Sequence, residues 1–110
     1  MQVKIKATKI ELTEDIKNLI QTKMDMIEKY LGSVQVSNCD FEIEKSLSKQ
    51  NNGKIYRAEV NLSVPGEILR IEKTEANITK AIEKVKDHLQ VSIKKYKEKK
   101  QDKKRIARNA

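Results

Sequence analysis

The chain has 110 residues, of which 37% are hydrophobic, 36% charged and only 4% aromatic, and its formal net charge is +8. This length fits one domain with a single modest core, and the single cysteine, Cys39, excludes an intrachain disulfide. The longest apolar runs are two or three residues, too short for a membrane span or the core of a signal peptide, so we expect a cytoplasmic protein.

The net charge lies entirely in the last third of the chain. Residues 1–76 carry twelve Lys or Arg and twelve Asp or Glu, whereas residues 77–110 carry twelve basic residues and four acidic ones. A neutral body with a concentrated basic arm is typical of a protein that binds a polyanion, and nucleic acid is the commonest such partner. The charge distribution therefore favours a binding protein over an enzyme.

The first two elements predicted along the chain are a strand and a helix. Val3, Ile5 and Ala7 alternate with polar residues, which indicates a half-buried strand. Thr13 is a candidate N-cap for a helix of about five turns that ends before Gly32. The apolar stripe of this helix comprises Ile16, Leu19, Ile20, Met24, Ile27 and Leu31.

Three further strands are predicted in the middle of the chain, where apolar and polar residues alternate over positions 39–44, 57–64 and 69–72. Val34 and Val36 are out of phase with the first of these strands, so we expect a bend or bulge near positions 37–38. An exposed polar loop over residues 46–53 and a type II turn at Pro65-Gly66 are predicted to join the three strands.

The last predicted element is a long helix with Asn77 as its N-cap. Its apolar stripe comprises Ile78, Ala81, Ile82, Val85, Leu89, Ile93 and Tyr96. Beyond Tyr96 we expect a turn or two of helix and then a flexible basic tail over residues 101–110. Residues 1–100 are thus predicted to form one α+β domain of order β-α-β-β-β-α. Its four-stranded sheet carries both helices on one face, as in double-stranded RNA-binding domains.

Few residues could carry catalysis or bind a metal. His88 is the only histidine and lies at the edge of the polar side of the last helix. Cys39 lies on the same side of its predicted strand as Phe41 and Ile43, so we expect it to be a core residue. No second histidine, cysteine pair or glycine-rich phosphate loop accompanies them. We therefore expect no enzyme activity, no cofactor, no metal site and no small-molecule substrate.

The basic residues of the last helix form the candidate binding site. Helical spacing places five of them in one sector of about 100°: Lys80, Lys84, His88, Lys95 and Lys99. Nine of the fifteen residues over positions 94–108 are basic, and so dense a run of like charge is costly unless an anion relieves it. A tail that merely aids solubility is the alternative. No aromatic residue occupies an outward strand position, so we expect contact with the phosphates of a structured RNA and no base stacking on the sheet.

Seven short segments match a known pattern in order and spacing over residues 1 to about 100. They are MQVKI at 1–5, IELTE at 10–14, KYL at 29–31, IEK at 43–45, LRIE at 69–72, NITKAIE at 77–83 and KKYK at 94–97. Together they resemble the family of ribosome hibernation-promoting factors and ribosome-associated translation inhibitors. The chain departs from the family at Thr79, where a tyrosine is usual, and at His88 and Val91, two positions that are often basic.

The resemblance implies a protein that occupies the decoding channel of the small ribosomal subunit, in 30S subunits and 70S ribosomes, and blocks translation reversibly in starved cells. Basic side chains would contact 16S ribosomal RNA. The expected contact residues are Lys80, Lys84, His88, Lys94, Lys95, Lys97, Lys99, Arg57 and Arg70. The sequence ends before the C-terminal dimerisation domain of long-form members, so it resembles the short form, and a shortened long form is the alternative. We expect a monomer away from the ribosome.

Two other functions fit the same residues. A generic double-stranded RNA-binding module has a similar layout, but it needs a dense lysine cluster at the start of its second helix, where this chain offers only Lys80 and Lys84. A protein-interaction module whose basic tail docks on an acidic partner belongs to another class. A gel shift with duplex RNA, compared with a pull-down by an acidic protein, distinguishes these two functions.

Overall fold

Six elements follow one another in the order predicted from the sequence. In the computed structural model of the chain, residues 1–48 and 53–109 are described, with side chains described through residue 102 except at positions 48 and 54. The elements are β1 (Lys4–Thr8), α1 (Glu14–Leu31), β2 (Asn38–Ser48), β3 (Gly53–Val64), β4 (Glu67–Glu75) and α2 (Ile78–Asn109). This confirms the α+β class and the β-α-β-β-β-α order.

The strands form one mixed sheet in the order β1-β2-β3-β4. Strand β1 runs parallel to β2, with α1 as the crossover between them, and the other neighbouring strands are antiparallel. The register places Ile5, Phe41 and Val60 side by side, so apolar residues share one face of the sheet. Helices α1 and α2 cover this face and contribute their predicted stripes to a common core.

Both helices begin at the predicted caps. The backbone N–H of Ile16 donates to Thr13 Oγ1 at 3.2 Å, and the N–H of Thr79 donates to Asn77 Oδ1 at 2.7 Å. Helix α1 ends at Gly32, whose φ of +62° lies in the region that favours glycine. In the predicted type II turn, Gly66 has a φ of +87°, as that turn requires at its third residue.

The helix and strand boundaries differ from the predictions in three places. Strand β2 reaches Ser48 and β3 starts at Gly53, because ladder pairing continues past the buried positions, and the rest of the predicted loop, 49–52, lies outside the described residues. Strand β4 likewise continues to Glu75. Helix α2 continues to Asn109, because residues 97–109 are mostly good helix formers and contain no glycine or proline. The flexibility of residues 101–110 stays a prediction.

The connection between α1 and β2 contains a bend. The backbone bends at Ser37, as predicted, and the N–H of Ser37 donates to the carbonyl oxygen of Ser63 at 3.0 Å. Val34 and Val36 therefore belong to the connection and not to the strand.

Over the described part of the chain, neither helix is both long and apolar enough to cross a membrane.

Candidate nucleic-acid interface

The outward side of α2 carries a row of exposed basic residues. We call this surface the basic face, and it comprises Lys80, Lys84, His88, Lys94, Lys95 and Lys99, all exposed. The buried stripe of α2 fixes the orientation of the helix, so these six side chains lie on the part of its surface that the core leaves exposed. The hydroxyl of Tyr96 donates to the carbonyl oxygen of Pro65 at 2.6 Å, which ties the far part of the helix to the turn between β3 and β4. The structure thus brings six of the nine predicted contact residues together.

Lys97 lies on a different side of α2, against α1. Its Nζ donates to the backbone carbonyl oxygen of Tyr30 at 2.5 Å and lies 5.1 Å from the centroid of the Tyr30 ring. The carbonyl groups of the last helical turn lack partners within their own helix, and a lysine there also complements the helix dipole. Lys97 therefore caps α1 and joins the two helices. The sequence did not indicate this contact because the two residues are 67 positions apart.

We expect the substitution Lys97→Ala to lower the free energy of unfolding by about 1 kcal/mol, because it removes this hydrogen bond and the charge near the end of α1. Urea denaturation monitored by circular dichroism measures the change. Lys95→Ala is the matched control, because Lys95 is exposed on the same helix. An equal loss in both variants would contradict the capping role.

Arg57 and Arg70 lie away from the basic face, on the side of the sheet that the helices leave open. Arg57 Nη2 lies 2.5 Å from Glu42 Oε1 and 2.9 Å from Glu44 Oε2, and its Nη1 lies 3.4 Å from Glu59 Oε2. Arg70 Nη2 lies 2.9 Å from the same Glu59 oxygen. The structure therefore does not bring these two predicted contact residues together with those of α2.

The strand register explains why both arginines are engaged. Glu42, Glu59 and Glu72 lie directly opposite one another on β2, β3 and β4. Like charges in such cross-strand positions are destabilising, and the two guanidinium groups lie diagonally between them. Burial raises the pKa of the Glu59 carboxyl, but hydrogen bonds from Arg70 and from the Asn61 amide outweigh this and hold its pKa below the ordinary value. The open face of the sheet is thus a network of paired charges, and an RNA contact by Arg57 or Arg70 stays a prediction.

Lys84 has an acidic partner that the sequence analysis missed. Its Nζ forms an ion pair with Glu75 Oε1, at the point where β4 ends and the chain turns into α2. The hydrogen bond from Lys84 holds the pKa of Glu75 below its usual range, with nearby Lys80 adding to the effect. One carboxylate therefore lies at the start of the basic face, next to Lys84.

The remaining candidate groups show no catalytic or metal-binding arrangement within the described residues. Cys39 is 1% exposed, and burial raises the pKa of its thiol to about 11, so it stays protonated at neutral pH. His88 is exposed on α2. In the described ranges, no group of three or more His, Cys, Asp or Glu side chains is placed to hold a metal ion.

Comparison with known proteins finds a matching family and curated relatives of similar sequence. The family described as "Sigma 54 modulation protein / S30EA ribosomal protein" matches residues 3–101. The ribosome hibernation promotion factor of Deinococcus radiodurans is 28% identical over 88 residues, 80% of this chain and 44% of that protein. That of Picosynechococcus sp. is 27% identical over 102 residues, 90% of this chain and 50% of that protein. The chain spans about half the length of these curated relatives.

Two solved structures share the fold. The crystal structure of the Thermus thermophilus Protein Y N-terminal domain matches with a TM-score of 0.67 and 22% identity, covering 87% of this chain and 99% of the other. A ribosomal subunit interface protein from Coxiella burnetii matches with a TM-score of 0.64 and 17% identity, covering 88% of this chain and 98% of the other. At these identities the likeness concerns the fold alone.

Proposed function

This chain belongs to the family described as sigma 54 modulation protein / S30EA ribosomal protein, and on that premise we propose that it binds the small ribosomal subunit and inhibits translation by occupying the decoding channel. The basic face would contact phosphates of 16S ribosomal RNA, in 30S subunits and in 70S ribosomes. The mechanism is occupancy, with no covalent chemistry, cofactor or small-molecule substrate. We propose that the protein acts in the cytoplasm as a monomer that promotes ribosome hibernation under stress.

The exposed basic face of α2 is the observation that carries this proposal. Packing of the buried stripe holds the backbone of the helix that carries these six residues, so binding to phosphates needs little further ordering of the backbone. The open face of the sheet, by contrast, pairs its arginines with carboxylates. This asymmetry gives the domain one side that attracts RNA and one that does not. Relatives named ribosome hibernation promotion factor support the same function.

Co-sedimentation with purified 30S subunits and 70S ribosomes, at low and raised salt, tests the proposal. We expect stoichiometric binding to 30S subunits that competes with initiator transfer RNA, because both would occupy the same channel. Affinity should fall linearly with salt on a logarithmic scale, with a slope of about 0.7–0.9 for each phosphate contacted. Absence of binding even at low salt would overturn the proposal.

A generic double-stranded RNA-binding module is less well supported by the geometry. Such modules depend on lysines at the start of the second helix. Here only Lys80 and Lys84 occupy that region, and Lys84 is already paired with Glu75. Under our proposal, duplex RNA should bind much more weakly than 30S subunits in a gel shift at matched salt. Equal affinity for both would favour the generic module.

The Glu75–Lys84 ion pair gives a prediction of its own. Glu75 competes with RNA phosphate for Lys84, so we expect Glu75→Gln to raise the affinity for 30S subunits about two- to fivefold. Co-sedimentation at fixed salt measures the change. Glu72→Gln is the matched control, since it removes the same charge from the same strand on the open face of the sheet. Weaker binding by Glu75→Gln would instead indicate that the pair positions Lys84 for RNA.

A further inference from the structure

A hollow of about 350 Å³ lies between α1 and α2, beside the basic face. Tyr30 lines it from α1, and Asp87, Gln90, Val91 and Lys94 line it from α2. It is shallow and largely open to solvent, so a flat group can lie on it without being enclosed. It lies on the helix side of the domain, where the proposed function places the RNA.

Contact with phosphate alone does not account for the residues of this hollow. Val91 is an apolar residue that is 53% exposed on a helix whose exposed surface is rich in lysines. The Asp87 side chain is 68% exposed, and its carboxylate would repel a phosphate, although Lys86 lies 3.4 Å from it. Neither residue would strengthen binding on a surface that contacts only the RNA backbone.

An unpaired nucleobase fits the same residues. A base offers a flat face that packs on aromatic and apolar side chains, such as Tyr30 and Val91. Its exocyclic amino group donates to a carboxylate such as that of Asp87, and the amide of Gln90 can both donate and accept. Lys94, at the rim and on the basic face, is placed to meet the phosphate attached to that base.

The Tyr30 ring already contacts a side chain of α2 in the absence of a ligand. Lys97 Nζ lies 5.1 Å from the ring centroid and also donates to the Tyr30 carbonyl oxygen at 2.5 Å. A ring that already has this contact loses less conformational freedom when a base packs against it. The same ammonium group adds a cation–π attraction on the ring.

We propose that the hollow binds one unpaired, amino-bearing nucleobase (adenine, cytosine or guanine) of the RNA that the basic face contacts. This inference rests on the proposed function, because the basic face must first bring the RNA to the helices. The basic face binds phosphates through charge, and the hollow adds a contact whose strength depends on which base is present. The packing part of this contact is insensitive to salt, unlike the phosphate contacts.

Substitution of Asp87 tests the proposal through the sign of its effect. Removing a negative charge beside the basic face strengthens binding if only phosphates are contacted, but weakens it if Asp87 accepts a hydrogen bond from a base. We expect Asp87→Ala to reduce affinity for 30S subunits about five- to tenfold in co-sedimentation. Glu83→Ala is the matched control, because Glu83 is exposed one turn earlier on α2 and does not line the hollow. It should bind as wild type does or somewhat more tightly.

A second variant, Tyr30→Leu, tests the packing surface. We expect a loss of about fivefold or more with an unchanged salt slope, whereas Lys94→Gln should lower that slope by about 0.7–0.9. Thermal melting checks that Tyr30→Leu stays folded. If the wild type binds 30S subunits while Asp87→Ala binds as tightly as Glu83→Ala, the base-binding inference is wrong and the proposed function stands. If the wild type does not bind at all, both are wrong.

Discussion

The double substitution Lys94→Glu with Lys95→Glu is expected to lower the affinity for 30S subunits by at least about a hundredfold at moderate salt. Both side chains are exposed on the basic face, so each reversal replaces an attraction to phosphate with a repulsion. The fold should survive, because neither side chain belongs to the core. Co-sedimentation measures the affinity, and circular dichroism with thermal melting measures the fold.

A second variant, with glutamine at both positions, tests how the affinity depends on these two charges. Glutamine at both positions removes the two charges without reversing them, so its affinity should lie between those of the wild type and the glutamate variant. The salt slope of the glutamine variant should be smaller than that of the wild type by about 1.4–1.8, the value for two lost phosphate contacts. Undiminished co-sedimentation of the glutamate variant would show that α2 does not supply the main contacts.

The substitution Arg57→Met is expected to lower the free energy of unfolding by about 1–2 kcal/mol at pH 7, between the values for exposed and for buried ion pairs. Arg57 is only 20% exposed and lies among Glu42, Glu44 and Glu59. Removing it leaves Glu42 and Glu44 without this counter-charge and leaves Glu59 paired with Arg70 alone. Urea denaturation measures the loss. Arg70→Met is the matched control, and it should cost less than about 1 kcal/mol because Arg70 is 64% exposed.

The effect of Arg57→Met depends on pH in a definite direction. Arg70 and Asn61 hold the folded-state pKa of Glu59 below its ordinary value of 4.5, so the stability that this carboxylate contributes is present above pH 4.5 and is lost as the pH falls through the folded pKa, with or without Arg57. Protonation of the carboxylates also removes the repulsion that the variant suffers. The difference in stability between wild type and variant should therefore shrink between pH 7 and pH 4. An equal difference at both values would rule out carboxylate repulsion as its cause.

The sequence was sufficient to predict the elements and the core, because both depend on local spacing. The stripe from Ile20 to Leu31 and the alternation of Phe41 and Ile43 repeat at the periods of a helix and a strand, and all are buried. The caps at Thr13 and Asn77 form hydrogen bonds within three residues along the chain. The basic face also follows from helical periodicity, once the buried side of α2 is known.

The partners of individual charged side chains could not be predicted in the same way. Lys97 belongs to the basic run in the sequence, but in the fold it caps a helix 67 residues away. Arg57 is one of two arginines on the outward strand positions, and only the register between β2 and β3 reveals its carboxylates. Lys84 meets Glu75 because a strand and a helix adjoin at that turn. Each contact depends on tertiary geometry that composition and periodicity do not contain.

The buried thiol of Cys39 has a practical consequence for following this molecule in solution. It is the only cysteine in the chain, and thiol reagents attack the thiolate, which burial of Cys39 suppresses. Labelling of Cys39 should therefore be slow in the folded protein and faster when the structure opens locally around β2. A cysteine introduced on the surface of α2 would be labelled rapidly, whereas Cys39 would remain largely unlabelled. The wild-type fold thus accepts a fluorophore at a chosen position without removal of its own cysteine.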